Sequence, residues 1–313
     1  MSAVVSGVGV VLPRAASAAE LMAPGPVDSP PVEPGDLIGK KGLRYKDRAT
    51  QLAYCAADAA LRDAGLTNED GLRVPARSVA VVASSNYGNL DTIVRAMDTI
   101  TRETVAAGSP MDLPNASSNV VASSVAIRFG LRGPNLMLCN GATSGLDAVR
   151  WALTLLEGNR ASQVLVLGVE PDNQAVRDFL GGARTIDGAA ALVIEDDSSA
   201  AERGVSLLAT LGGCVRRSGL EVCLEELDGS SDDRPALWQV PDAAALKDGL
   251  LDGVPRYDVT ALFGVASGAL GVLQCAAAVG WFAQGGAGPV YVTAGADSDD
   301  ASAGLSLREP VTV

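Results

Sequence analysis

Side-chain catalysis needs a nucleophile, a base or a metal ligand. This chain of 313 residues carries five Cys, 37 Asp plus Glu, and no His. Without the commonest general base and metal ligand, Ser-His-Asp and Cys-His-Asp hydrolysis and His-ligated zinc sites are excluded. Cys55, Cys139, Cys214, Cys223 and Cys275 are odd in number, lie in apolar surroundings and form no C-x-x-C pair. That is the pattern of structural thiols in a reducing compartment. Asp147, Glu170, Asp172 and Asp187 are close enough in sequence to suggest acid/base work. They follow no spacing signature, so turn and helix-surface roles are expected. The acidic runs Glu195-Asp196-Asp197 and Asp297 to Asp300 lack a calcium-loop pattern, and neither a metal nor a cofactor is expected. Gly7 and Gly9 make a G-x-G without its third glycine, with Pro13 following, and read as part of a buried strand rather than a dinucleotide turn.

The elements that must position these groups are Ala-, Val- and Leu-built. Hydrophobic residues make up 48% of the chain, with 35 Gly but only 3 Trp, 5 Tyr and 4 Phe, which suits a buried sheet flanked by close-packed helices. A net charge of −13 repels phosphate backbones and anionic membranes, so neither nucleic acid nor membrane is an expected partner. The start MSAVVSGVGVVLP has no basic leader pattern, and no apolar run is long enough to span a bilayer; a cytoplasmic location is the expectation.

Apolar runs at residues 4–12, 79–83, 136–139, 164–169 and 190–194 predict buried strands. Helices are predicted over 45–65, from Gly88 through Asp91, Val94, Met97 and Ile100, over 119–129 and over 143–158, with a polar loop at SPMDLPNASSN. Alternating strands and helices imply right-handed crossovers and a mainly parallel sheet. The pattern then restarts. Strands are predicted at 205–211, 290–294 and 304–307, helices at 241–251 and 262–282, and a surface loop or partial helix at 221–234. A degenerate duplication follows, with halves 1–198 and 199–313.

The segment 114–170 is the most specific. Its helix ends Phe129-Gly130-Leu131-Arg132-Gly133-Pro134, a strand follows, and then Ser144-Gly145-Leu146-Asp147-Ala148. This series resembles the ketosynthases, the condensing enzymes of the thiolase fold that make fatty acids and polyketides. The resemblance extends to residues 4–12, to the helix of 46–66 with its D-R-x-x-Q-L-A start and D-A-G-L end, to 187–195, and to ASGALG at 266–271. It implies a layered αβαβα arrangement of two βαβαβαββ halves, the second shortened.

In that frame the catalytic Cys position falls on Ala142, which has no nucleophile for an acyl-enzyme. One catalytic His position falls on Leu262, and the segment that carries the other appears deleted between Trp238 and Val259. The helix after Ala142 still offers its N-terminus to an oxyanion. Complete loss of the three groups implies a non-catalytic paralogue, the chain-length factor of a type II polyketide synthase. Its expected partners are an active ketosynthase and, through the complex, an acyl carrier protein. The resemblance further implies a dimer interface of Leu136, Met137, Leu138, Cys139 and Asn140 with Asn115 and Asn119, and a tunnel-shaping loop of Met111, Asp112 and Leu113. Asp112 stands where the family usually places an apolar gate. An acyltransferase with a displaced nucleophile, Cys139 or a Ser such as Ser144, is the competing reading.

Overall fold

The computed structural model describes residues 2–110, 112–229, 233–241, 246–296 and 298–310. Ten strands form one mixed sheet: β1 (Ala3–Val11), β2 (Val79–Ser84), β3 (Asn135–Leu138), β4 (Gln163–Glu170), β5 (Gly188–Asp196), β6 (Ala209–Arg217), β7 (Leu237–Gln239), β8 (Arg256–Tyr257), β9 (Val290–Ala294) and β10 (Ser302–Arg308). Their spatial order is β8-β7-β9-β10-β6-β1-β5-β4-β2-β3. Counted within each half, the order from the outer edge inward is third, second, fourth, fifth, first, so the two halves are mirror copies in strand order. Only Val4↔Thr210 and Val5↔Ala209 pair β1 with β6 at the seam.

The longest helices among the described residues are α1 (Arg48–Asp63), α2 (Leu90–Arg102), α3 (Val120–Phe129), α4 (Ser144–Glu157), α5 (Leu220–Gly229) and α6 (Leu270–Ala283), and all but α2 pack on the sheet. Strand alternation sorts the core into layers. Val79, Val81 and Ala83 of β2 face α1 and α3, while Ala80 and Val82 join Val149 of α4 and Leu273 of α6 in a second core. The same middle layer takes Val290 and Val292 of β9, and Tyr291 points outward to a third core with Trp238 and Leu227 of α5. The two halves of the one sheet therefore share a middle helix layer and each carries an outer one, giving helix, half-sheet, helix, half-sheet, helix, a thiolase-like α/β fold.

Small residues are what let these layers meet. A Cβ on Gly9 would lie 2.2 Å from the Ala56 carbonyl oxygen of α1, and one on Gly7 2.5 Å from that of Ala60. The early G-x-G is thus the seat of the Ala-rich helix and no nucleotide turn. α4 and α6 cross on Gly145 and Gly271, where an added Cβ would stand 2.7 Å from the Gly271 nitrogen. Gly130 closes α3 at φ +69°, the left-handed C-cap its sequence promised.

Several sequence expectations need correction. The strand placed at 205–211 is β6 at Ala209–Arg217, because the run that pairs with β10 lies farther along. The stretch 221–234 holds a helix, α5, with Leu220, Cys223, Leu224 and Leu227 buried beneath its acidic face. Of the helix expected at 241–251, residues 246–251 are turn or irregular, and 242–245 lie outside the described residues. The helix expected at 262–282 is broken: Val259–Phe263 forms one turn, Gly264 takes φ +104°, and α6 starts at Leu270. SPMDLPNASSN includes a helical turn, Asp112–Asn115. The stripe of α2 is exposed, with Ile93, Val94, Met97 and Ile100 all in solvent. Among the described residues no helix is long and apolar enough to cross a membrane.

Candidate functional site

The turn between β3 and α4 carries Ala142. Gly141 adopts φ +87°, which lets the chain reverse, and Ser144 closes the reversal by donating to the Gly141 carbonyl at 2.8 Å while accepting from the Asn140 amide at 2.9 Å. Asp147, one turn into α4, accepts from the Thr143 hydroxyl at 2.8 Å and from the Asn140 side-chain amide at 2.6 Å. Arg216 of β6 reaches the other Asp147 oxygen at 3.3 Å, joining the turn to the second half. A carboxylate in the first turn of a helix is also favoured by the helix dipole.

Ala142 lines a cleft of about 290 Å³ together with Pro241, Thr260, Val265, Ser267, Leu270 and Asp299. The groups there are hydroxyls, one surface carboxylate and the start of α4. Asp299 is occupied in accepting from the Ala296 amide at 2.7 Å. Among the described residues no thiol, imidazole or amine lines the cleft. Leu262 lies elsewhere: it borders a separate cleft with Arg14 and Arg184, and its carbonyl accepts from Arg14. The two positions aligned with catalytic groups do not share one cavity.

The buried charge beside the turn is Glu170, at the end of β4 and fully inaccessible. Its Oε1 accepts from the amides of Asn86 at 2.7 Å and Gly268 at 3.0 Å; its Oε2 accepts from the Tyr87 amide and the Ser85 hydroxyl, each at 3.0 Å. Burial raises this carboxyl to about 7, although all four donors pull it down. The remaining carboxylates are likewise internal anchors rather than helix-surface groups. Asp172 is held by Arg177 at 2.7 Å and Arg184 at 3.0 Å, and these arginines outweigh its desolvation and lower its pKa. Asp187 is paired with Arg48 at 2.8 Å. No local pattern reveals the Glu170 cluster, because its donors come from two segments, 85–87 and 268, far from it in the chain.

Cys139 is exposed at the end of β3, not buried in an apolar strand as its neighbours suggested. Desolvation first, and the Glu170 charge second, raise its thiol pKa, which works against a thiolate nucleophile. β3 itself is one outer edge of the sheet: among the described residues it pairs with β2 alone, and Leu136, Met137 and Leu138 are half-buried. Asn115 is buried and donates to the Tyr45 carbonyl at 2.8 Å, whereas Asn119 is exposed and accepts from Ser117. Asp112 finds a partner in its own chain, Arg95 of α2 at 3.6 Å. Met111 and the side chain of Leu113 lie outside the described residues. Among the described residues no group of three Cys, Asp or Glu side chains is placed to hold a metal ion.

With this geometry in hand, comparisons with known proteins place the chain. Residues 35–182 match the sequence profile of the beta-ketoacyl synthase N-terminal domain. Over that segment the chain is similar to a ketosynthase domain. It is 29% identical over 299 residues to the granaticin polyketide putative beta-ketoacyl synthase 1 of Streptomyces violaceoruber, covering 76% of this chain and 70% of that protein. It is 26% identical over 205 residues to the 3-oxoacyl-[acyl-carrier-protein] synthase 2 of Vibrio harveyi, where the match covers 57% of this chain and about half, 48%, of the relative. Among solved structures, the ishigamide ketosynthase/chain length factor superposes over 99% of both chains with a TM-score of 0.81 at 23% identity. A structure described as a type II PKS acyl-carrier protein in complex with its ketosynthase superposes over 99% of both chains with a TM-score of 0.80 at 15% identity. These superpositions establish the thiolase-like fold.

Proposed function

We propose that this chain is a non-catalytic chain-length factor, which pairs with an active ketosynthase and shapes the tunnel in which that partner grows a polyketide. The observation that carries the reading is Ala142: it stands on the hydrogen-bonded turn before α4, where the resemblance to ketosynthases puts the nucleophile, and its side chain cannot form an acyl-enzyme. A chain with no His adds that no imidazole is available to decarboxylate a malonyl unit. Similarity to a structure named as a ketosynthase/chain length factor supports the same role.

In this reading the open edge of β3 meets the partner, and the segment at Met111, Asp112 and Leu113 reaches the partner's tunnel. The Arg95 contact offsets the cost of bringing the Asp112 carboxylate out of water. An acyl carrier protein delivers the growing chain to the complex. Co-expression with a ketosynthase is the test. A one-to-one complex in which only the partner becomes acylated is expected, and Asp112→Leu is expected to shift product length while leaving the complex intact. A lone, monodisperse chain that is itself acylated by a thioester, at Cys139 or Ser144, would sink the proposal.

A further inference from the structure

The Glu170 cluster joins three segments that sequence keeps far apart. Ser85, Asn86 and Tyr87 follow β2 in the first half, Gly268 lies in the second half, and Glu170 ends β4 between them. The junction is tight: a Cβ on Gly268 would lie 2.9 Å from both the Asn86 nitrogen and Glu170 Oε1. Among the described residues no Lys or Arg pairs with Glu170, so hydrogen-bond donors alone satisfy it. A fully buried carboxylate with no counter-ion is costly unless such donors replace its water.

The cluster reaches the Ala142 turn through one side chain. Asn86 donates from Nδ2 to the Gly141 carbonyl at 3.0 Å and to the Ser267 hydroxyl at 2.8 Å, and its Oδ1 accepts from the Gly141 amide and the Ser144 hydroxyl at 3.3 Å each. Ser267 sits at φ +39°, a left-handed conformation that a non-glycine residue holds only when its surroundings impose it. The Ser85 amide, in turn, donates to the Leu138 carbonyl at the end of β3.

We propose that Glu170 is a positioning residue: the hub of a latch that closes the Ser267–Ala269 turn of the second half onto the end of β2 and, through Asn86, fixes the turn carrying Ala142. It goes beyond the chain-length-factor reading and does not depend on it, because every contact lies within this chain. The latch keeps the Ala142 turn in place independently of any nucleophile.

Amide-resolved hydrogen exchange on the full chain, in whatever complex it purifies, tests this. In Glu170→Ala, exchange at Asn86, Tyr87, Gly268 and Gly141 is expected to accelerate about ten-fold or more, with amides of α1 unchanged. Glu170→Gln separates a latch from mere filling and serves if the alanine variant does not fold. Its oxygen can still serve Asn86 and Gly268, but its NH₂ faces the Tyr87 amide, so Tyr87 alone is expected to lose protection. Asn86→Ala is expected to free Gly141 while Tyr87 and Gly268 stay slow. Wild-type rates at Asn86 and Gly268 in a folded Glu170→Ala, or at Tyr87 in Glu170→Gln, would overturn the latch. Co-purification with a ketosynthase reads the other proposal separately.

Discussion

The two outer edges of the sheet are equivalent in strand order and unlike in build. At one end β3 is a four-residue strand with half-buried Leu136, Met137 and Leu138 and an unpaired side, next to a fully formed crossover through α2 and α3. At the other end β8 has two residues, Arg256 and Tyr257, and follows turns at residues 248–253. An exposed apolar strand edge is an invitation to pair, whereas a very short edge is one of the usual devices that prevents it. The contrast teaches that, of two edges with the same strand order, β3 leaves the longer side free for pairing and β8 the shorter.

Substitution at the two edges gives the largest expected effect. In the co-expressed complex, Leu136→Asp is expected to reduce partner recovery by at least about ten-fold, as a charge placed in a β-pairing edge should. Arg256→Ser at the far edge is expected to leave recovery unchanged. Equal losses at both edges would break the contrast.

The next effect concerns what holds the unlike halves together. The folded Glu170 carboxyl sits at about 7, above its ordinary 4.5, so the folded state binds this proton more tightly than the unfolded one. Stability from this group is therefore complete at pH below about 4.5 and declines as pH rises to about 7, the reverse of an ion-paired carboxylate such as Asp172. Denaturant unfolding of wild type and Glu170→Gln at pH 5 and pH 8 should show the stability difference between them change by on the order of 3 kcal/mol in favour of Gln at the higher pH. A difference that does not move with pH would show that Glu170 does not titrate in this window.

The smallest effect is at the Arg216 to Asp147 contact. Arg216 is more than a third exposed, so Arg216→Ala is expected to cost no more than about 1 kcal/mol in unfolding experiments. Asp147 keeps its bonds to Asn140 and Thr143. A larger loss would mean that this ion pair, rather than the Glu170 latch, is the main polar tie between the halves.

Legibility in the sequence followed the same division. The first half read well because its elements announce themselves: continuous apolar runs for β2, β4 and β5, and Gly130 after α3. The second half read poorly where local signals conflict with packing. An unbroken Ala- and Gly-rich run concealed the break at Gly264 and Ser267, and the acidic face of α5 concealed its buried Leu224 and Leu227. At the site, Ala142 and the turn around it were legible because they sit in one contiguous segment. The separation of Leu262 from Ala142 was not legible, and neither were the Arg95 partner of Asp112 and the exposure of Cys139.

By itself the sequence determined the alternating α/β class, the absence of an imidazole and the presence of Ala at residue 142, because these depend on residue type and on short-range periodicity. The tertiary structure alone decided which carboxylate is buried beside the turn and which strand edge stays open. Those depend on donors and neighbours that β2, β4 and the Ser267–Ala269 turn bring together from positions up to 98 residues apart from Glu170, a distance over which no local pattern carries information.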